Sequence, residues 1–170
     1  KAIKYLNEDL GIGARHISVS TSGVLDGIDK LANEKMQINL AISLHAPNDE
    51  LRSQLMPINK RFPMKDLFRA VDKYIIKTGR RVMFEYLMIR GINDSLEQAK
   101  ELAELMKKPL YMVNLIAYNP TDVYKASDKN AIEDFRKVLE QEGVGVTQRY
   151  SFGQDIDAAC GQLANKKNRK

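Results

Sequence analysis

Cysteine is almost missing from this chain of 170 residues, with Cys160 the only one. A single thiol excludes a disulfide framework, and equally a metal site of three or four thiolates built by this chain alone. Long hydrophobic runs are missing too. No apolar stretch approaches the roughly 20 residues of a membrane span, and the apolar segments are too short and scattered for a signal peptide. There is no internal repeat, no low-complexity tract and no glycine-rich phosphate loop. These absences predict a protein of a soluble, reducing compartment, the cytoplasm, without membrane association. The first residue is Lys1 rather than methionine, so the expectation is a piece of something longer.

What is present suits one domain, with 44% apolar residues to fill one core. The formal charge of +5 is unevenly spread. Lys166, Lys167, Arg169 and Lys170 put +4 into the last five residues, read as a disordered basic tail over 165–170. A second concentration runs from Arg52 to Arg81, with nine basic residues against Asp66 and Asp72. Within it Lys65, Arg69, Lys73 and Lys77 recur every fourth residue, which on a helix makes one basic stripe. Such a stripe is either a solvated face opposite Met64, Leu67, Phe68, Val71 and Ile75, or a surface that meets RNA phosphates.

Strand and helix patterns alternate along the chain. Ile3, Leu6 and Leu10 mark one face of an initial helix. Strands are predicted over 16–20, 37–44, 81–89 and 110–118, with a final one over 144–150. The second is near-continuously apolar, as a strand buried on both faces in a parallel sheet would be. Helices are predicted with Ile28, Leu31 and Ala32 inward, over 64–77, and from Ser95. Ser95 and Gln98 have capping-box spacing, and Leu96, Ala99, Leu102, Ala103 and Met106 form the buried face. A last helix is expected to be capped by Ser127 and to end near Gly143. The connection over 46–63 is too long for a simple turn and is expected to hold a short helix begun by Pro47 and Asn48. This order predicts an α/β fold with a parallel sheet and right-handed crossovers, either a small open sheet or part of a barrel.

In parallel α/β folds ligands gather at the carboxyl ends of the strands. Those ends read Ser20-Thr21-Ser22, Ser43-Leu44-His45 and Tyr118-Asn119. Each alone is an ordinary turn or cap, and three on one rim suggest a site. His45 lies on that rim, whereas His16 only opens a strand. With no second histidine or thiolate beside His45, no metal site is expected. Glu85 alternates with apolar Phe84 and Leu87, as either a partnered structural carboxylate or one facing a barrel interior. Cys160 sits among small residues in a polar loop over 153–161, where backbone can approach another molecule closely. Asp155 and Asp157 disfavour its thiolate, and composition alone does not assign the sulfur a task.

Seven motifs occur in order: Ser20 to Gly23, Ala41 to Asp49, Leu55 to Asn59, Gly91 to Ser95, Val113 to Ile116, Tyr118 to Pro120, and Asp155 to Leu163. Together they resemble the radical S-adenosylmethionine (SAM) methyltransferases that modify adenine C2 of 23S rRNA and tRNA, the RlmN type. The resemblance runs from about Gly11 to Ala164. It implies a partial (β/α)6 barrel, of which residues 1–164 are the last four strands with a C-terminal helix, strand and loop.

The resemblance also implies that Ser20, Ser43, Leu44, His45 and Asn119 hold SAM. Cys160 matches the cysteine that carries the methyl group: one SAM methylates the sulfur, and a second supplies the radical that activates that methyl for addition to adenine C2. This divides one difficult step into several easier ones. The family's CxxxCxxC loop, which binds a 4Fe-4S cluster, is absent, as are the cysteine that resolves the adduct, the glycine–glutamate segment that grips the methionine, and the N-terminal RNA-binding region. The expectation is a C-terminal fragment that is inactive without the missing N-terminal half. Phe152 stands where the family has a basic residue and is more like the related Cfr group, which methylates adenine C8. Of a different class is a non-catalytic RNA-binding remnant that uses the basic helix and tail.

Overall fold

In the computed structural model, residues 1–121 and 123–149 are described. Cys160, the motif over 155–163, Phe152, the loop over 153–161 and the tail over 165–170 lie outside the described residues.

The chain opens with α1 (Ala2–Lys4), continued by a π-helical turn over Tyr5–Asp9. A 3-10 turn (Ala14–His16) leads into β1 (Ser18–Thr21), and α2 (Leu25–Ala32) connects it to β2 (Asn39–Ser43). The long connection holds α3 (Asp49–Leu55) and a 3-10 turn (Pro57–Lys60) before α4 (Met64–Thr78). Then come β3 (Val82–Met88), α5 (Leu96–Leu105), β4 (Tyr111–Ala117), α6 (Lys129–Gln141) and β5 (Gly145–Arg149).

All strand pairs are parallel and the order is β1-β2-β3-β4-β5. Right-handed crossovers in this order put the helices that connect successive strands on one face of the sheet. Side-chain burial agrees. Along β3, Val82, Phe84, Tyr86 and Met88 are buried while Met83, Glu85 and Leu87 are only half-buried. One face therefore packs on helices, and the other is open among the described residues. The final strand, read in the sequence as an appendage of four barrel strands, lies in the same sheet beside β4.

The core sits between sheet and helices. Leu40 and Ile42 of β2, Phe84 and Tyr86 of β3 and Val113 and Leu115 of β4 meet Leu67, Val71, Leu102, Phe135 and Leu139. Phe84 packs its ring 5.5 Å from Phe68 and 4.8 Å from Tyr111. Each such aromatic contributes about 2–3 kcal/mol by leaving water. Tyr111 keeps its hydroxyl satisfied by donating to Asp72 Oδ1 at 2.7 Å.

The capping box at Ser95 and Gln98 forms in both directions. Asn48 caps α3 by accepting from the Leu51 N–H, and Gly79 ends α4 at φ +64, where a side chain would be strained. Two sequence expectations are corrected. Ser127 is buried and does not cap the last helix, which begins at Lys129 after Asp128. Leu96 is 46% exposed because it stands in the first turn, before the helix has rotated its apolar face onto the sheet. Among the described residues, no helix is long and apolar enough to cross a membrane.

Candidate functional site

The carboxyl ends of β1, β2 and β3 are tied together from behind by two buried polar side chains. The first is Arg52, fully buried in α3. Its Nη1 donates to Asn59 Oδ1 at 2.7 Å, and its Nη2 donates to the carbonyls of Ser22 at 2.8 Å and Ser43 at 3.1 Å. Asn59 in turn donates to Asp49 Oδ1 at 2.8 Å and Ser53 Oγ at 2.9 Å, while Asp49 also receives the first N–H of α4, from Met64. One guanidinium thus joins the ends of two neighbouring strands to the connection that follows. Burial pulls its pKa down and the Asp49 carboxylate opposes that. Gly23 makes room for it. A Cβ there would lie 3.2 Å from Leu67 and 3.3 Å from Arg52 Nη2, and its φ of +105 admits few residues besides glycine.

The second is Asn93, also fully buried. Its Nδ2 donates to the carbonyls of His45 at 2.8 Å and Leu87 at 2.6 Å, and its Oδ1 accepts from the Ile89 N–H at 2.7 Å. The Tyr86 hydroxyl donates to the Asn93 carbonyl at 2.9 Å.

His45 is where β2 stops being a strand. Its φ is +60, a left-handed conformation that costs a non-glycine residue roughly 1–2 kcal/mol. Three hydrogen bonds offset that cost. Its N–H donates to the Glu85 carbonyl at 3.2 Å, its carbonyl accepts from Asn93, and its ring Nδ1 accepts from the Leu87 N–H at 3.1 Å. The imidazole therefore stands in for the next carbonyl of the strand. Burial, with the nearby Arg52 charge second, pushes its pKa down to about 4. The ring is neutral at pH 7, and because Nδ1 accepts, the proton sits on Nε2 as a donor.

The structure places the sequence-predicted rim residues as follows. Ser20 is exposed in β1, in register with Ala41, and half-buried Ser43 lies two residues further along β2 on the same face. Leu44 is fully buried and its N–H donates to the Glu85 carbonyl at 3.0 Å, so its side chain belongs to the core and only its backbone reaches the rim. Asn119 is half-buried, two residues past the end of β4. Ser20, Ser43 and His45 thus share adjoining strand ends, and Asn119 stands across β3 from them. Between β4 and α6 the chain folds back over β3: Ile89 bridges Ala126, Arg90 pairs with Asp128, and Tyr118 meets Tyr124 edge-on with ring centroids 6.1 Å apart.

Sequence reasoning does not single out Arg52 or Asn93 as site residues. Arg52 counts there as one of the basic stretch, although Leu55 stands three residues on, on the same face of α3. Of the predicted stripe, Lys65, Arg69, Lys73 and Lys77 are all exposed, Arg69 pairing with Asp66 at 3.4 Å and Lys77 with Asn33. Two shallow recesses lie near the opposite, amino ends of the strands, one lined by Asn39, Gly79, Arg80, Arg81 and Leu110, the other by Gly13 to His16 and Gln37, and neither includes a rim residue.

A singly wound parallel sheet of this kind has solved counterparts. A domain of pyruvate-formate lyase-activating enzyme from Bacteroides vulgatus superposes with a TM-score of 0.66 at 16% identity over 87% of this chain and 89% of that one, a likeness of fold alone. A radical SAM methyltransferase from Sphaerobacter thermophilus superposes with a TM-score of 0.88 at 48% identity, covering 92% of this chain and 47% of that one. The class is therefore that of the radical SAM methyltransferase barrel. No family model matches the chain. Among curated relatives, the "Probable dual-specificity RNA methyltransferase RlmN" of Streptococcus agalactiae serotype Ia is 54% identical over 170 residues, 96% of this chain and 46% of that protein. The Bacillus licheniformis protein of the same name is 54% identical over 172 residues, 99% of this chain and 48% of that one. The chain belongs to this RlmN family and spans about half the length of the curated relatives it matches.

Proposed function

We propose that this chain is the SAM-rim and methyl-carrier part of an RNA methyltransferase acting on adenine C2 of 23S rRNA, with tRNA as a second substrate, in the cytoplasm. The observation that carries the reading is the 54% identity, over 96% of the chain, to a relative named as a dual-specificity RNA methyltransferase. The rim fits an adenosylated amino acid in kind. The hydroxyls of Ser20 and Ser43, the Nε2–H of neutral His45, the Leu44 backbone and the Asn119 amide offer donors and acceptors to a polar ligand. SAM held there would supply both the methyl group and the radical chemistry. A 4Fe-4S cluster does not fit this chain alone: it has one cysteine, and no three metal-ligating side chains gather among the described residues. The cluster belongs to the remainder of the protein, and the isolated chain is inactive.

Cys160 is the methyl carrier in this reading. In the full-length parent, Cys160→Ala abolishes methyl transfer while SAM binding persists; turnover near that of the wild type sinks the mechanism. Phe152 favours a second reading, adenine C8 as the target. Mass spectrometry of the modified nucleoside separates 2-methyladenosine from 8-methyladenosine. A third reading, RNA binding without catalysis, predicts RNA affinity that falls steeply with salt and ignores Cys160.

A further inference from the structure

One polar row crosses the open face of the sheet. Ser43, Glu85, Asn114 and Thr147 are successive register partners from β2 to β5. Thr147 Oγ1 donates to Asn114 Oδ1 at 2.9 Å, and Asn114 Nδ2 donates to Glu85 Oε2 at 2.7 Å. Both ends of the Asn114 amide are engaged, so its orientation is fixed, and it holds one carboxylate oxygen in place. The other, Oε1, accepts no hydrogen bond among the described residues. On the amino side the row is bordered by Ala41, Met83 and Met112, and on the carboxyl side by Leu87, Ile116 and the exposed Arg149.

A weld between strands needs no charge, since a glutamine at position 85 would accept the same bond from Asn114. Glutamate is moreover disfavoured in strands. A carboxylate with one oxygen pinned and one open, flanked on β3 and β4 by Met83, Met112, Leu87 and Ile116 and in register with Ser43, is built to receive a donor. We propose that Glu85 is a ligand-binding carboxylate on the floor of the SAM site, accepting a hydrogen bond from a hydroxyl or ammonium group of the cofactor. This rests on the reading of the rim as a SAM site. SAM carries both kinds of donor, on its ribose and on its methionine end.

The test titrates the full-length parent with adenosine, with 2′,3′-dideoxyadenosine and with methionine, read by ligand-observed NMR, while circular dichroism follows the fold. Glu85→Gln keeps the acceptor for Asn114 but turns the open acceptor into an NH2 donor. The expected loss is about ten-fold in affinity for one ligand, the usual scale for a hydrogen bond to a charged group. Loss for adenosine, with its preference over the dideoxy analogue gone, assigns the ribose hydroxyls; loss for methionine assigns the ammonium. Glu85→Asp, which keeps the charge but draws it back by one methylene, should fall between the two. Wild type and both variants binding alike overturns the proposal and leaves the rim reading standing. A wild-type parent that binds neither adenosine nor methionine overturns the rim reading and this proposal with it.

Discussion

Removing the Arg52 guanidinium tests whether the rim is held from behind. Arg52→Met preserves the apolar stem and much of the volume but leaves three acceptors without their donor: Asn59 Oδ1, at 2.7 Å, and the carbonyls of Ser22 and Ser43, at 2.8 and 3.1 Å. The bond to Asn59 is wholly buried and the other two only partly, so water recovers some of what they lose. Removing the charge also relieves the desolvation of a buried cation. On balance the substitution costs about 3 kcal/mol, well below the sum of three charge-assisted bonds. For a domain of this size that lowers the melting midpoint by about 6–12 °C. Differential scanning calorimetry measures it, and hydrogen exchange at the Leu44 and His45 amides reports whether the loosening is local to the rim. A midpoint within about 2 °C of wild type, with protection unchanged, would refute the reasoning and make desolvation the winning effect. Arg52→Lys, which keeps the charge but cannot reach three acceptors in different directions, is expected midway.

Acid should weaken the fold through His45. Its folded pKa of about 4 lies below the ordinary 6.5, so the unfolded chain takes up the proton first, and stability is complete above pH 6.5 and declines as pH falls toward 4. The contribution at stake is about 3 kcal/mol, and His45→Gln should flatten the midpoint-against-pH curve across that window; an unaltered slope would clear His45 of the role. Asn93→Ala removes three hydrogen bonds, one buried and two partly buried, and should cost about 2–4 kcal/mol in urea unfolding. Asn93→Asp should cost more, because an acceptor would then face the His45 and Leu87 carbonyls, and the reverse order would mean that the amide assignment is turned around. Replacing Lys65, Arg69 and Lys73 with Gln in the full-length parent should weaken RNA binding and reduce the salt slope by somewhat under one, about 0.7–0.9, for each phosphate no longer neutralised. Unchanged affinity and slope would mark the stripe as merely solvated.

What the sequence made legible was local or periodic. The capping box at Ser95 needs only residues three apart, and the β3 alternation shows its two faces within seven residues. The helices followed from their apolar spacing, and the order of elements pointed to a parallel sheet. Ser127 and Asp128 are adjacent and equally good caps by composition. Asp128 takes the N-cap position without a side-chain cap, and the serine one residue earlier is buried. Arg52 escaped notice because its partners stand 7, 9 and 30 residues away, and charge counting treats every arginine as a surface group. The Glu85 row stayed hidden for a related reason. Phe84 and Leu87 flanking Glu85 left two readings open, and only strand register, a property of three strands at once, sets Asn114 and Thr147 beside it.

The side chains that shape the rim approach it from the helix-covered side. A carbonyl oxygen has two lone pairs, and Arg52 and Asn93 engage the Ser22, Ser43, His45 and Leu87 carbonyls from behind. The strand ends are thus set before any ligand arrives, and the hydroxyls of Ser20 and Ser43 need not serve as struts. A molecule docking there would meet a surface already in its final shape, so little of its binding free energy would be lost to ordering the protein. Changes of specificity can then arise from substitutions on the open side, while the scaffold behind stays as it is.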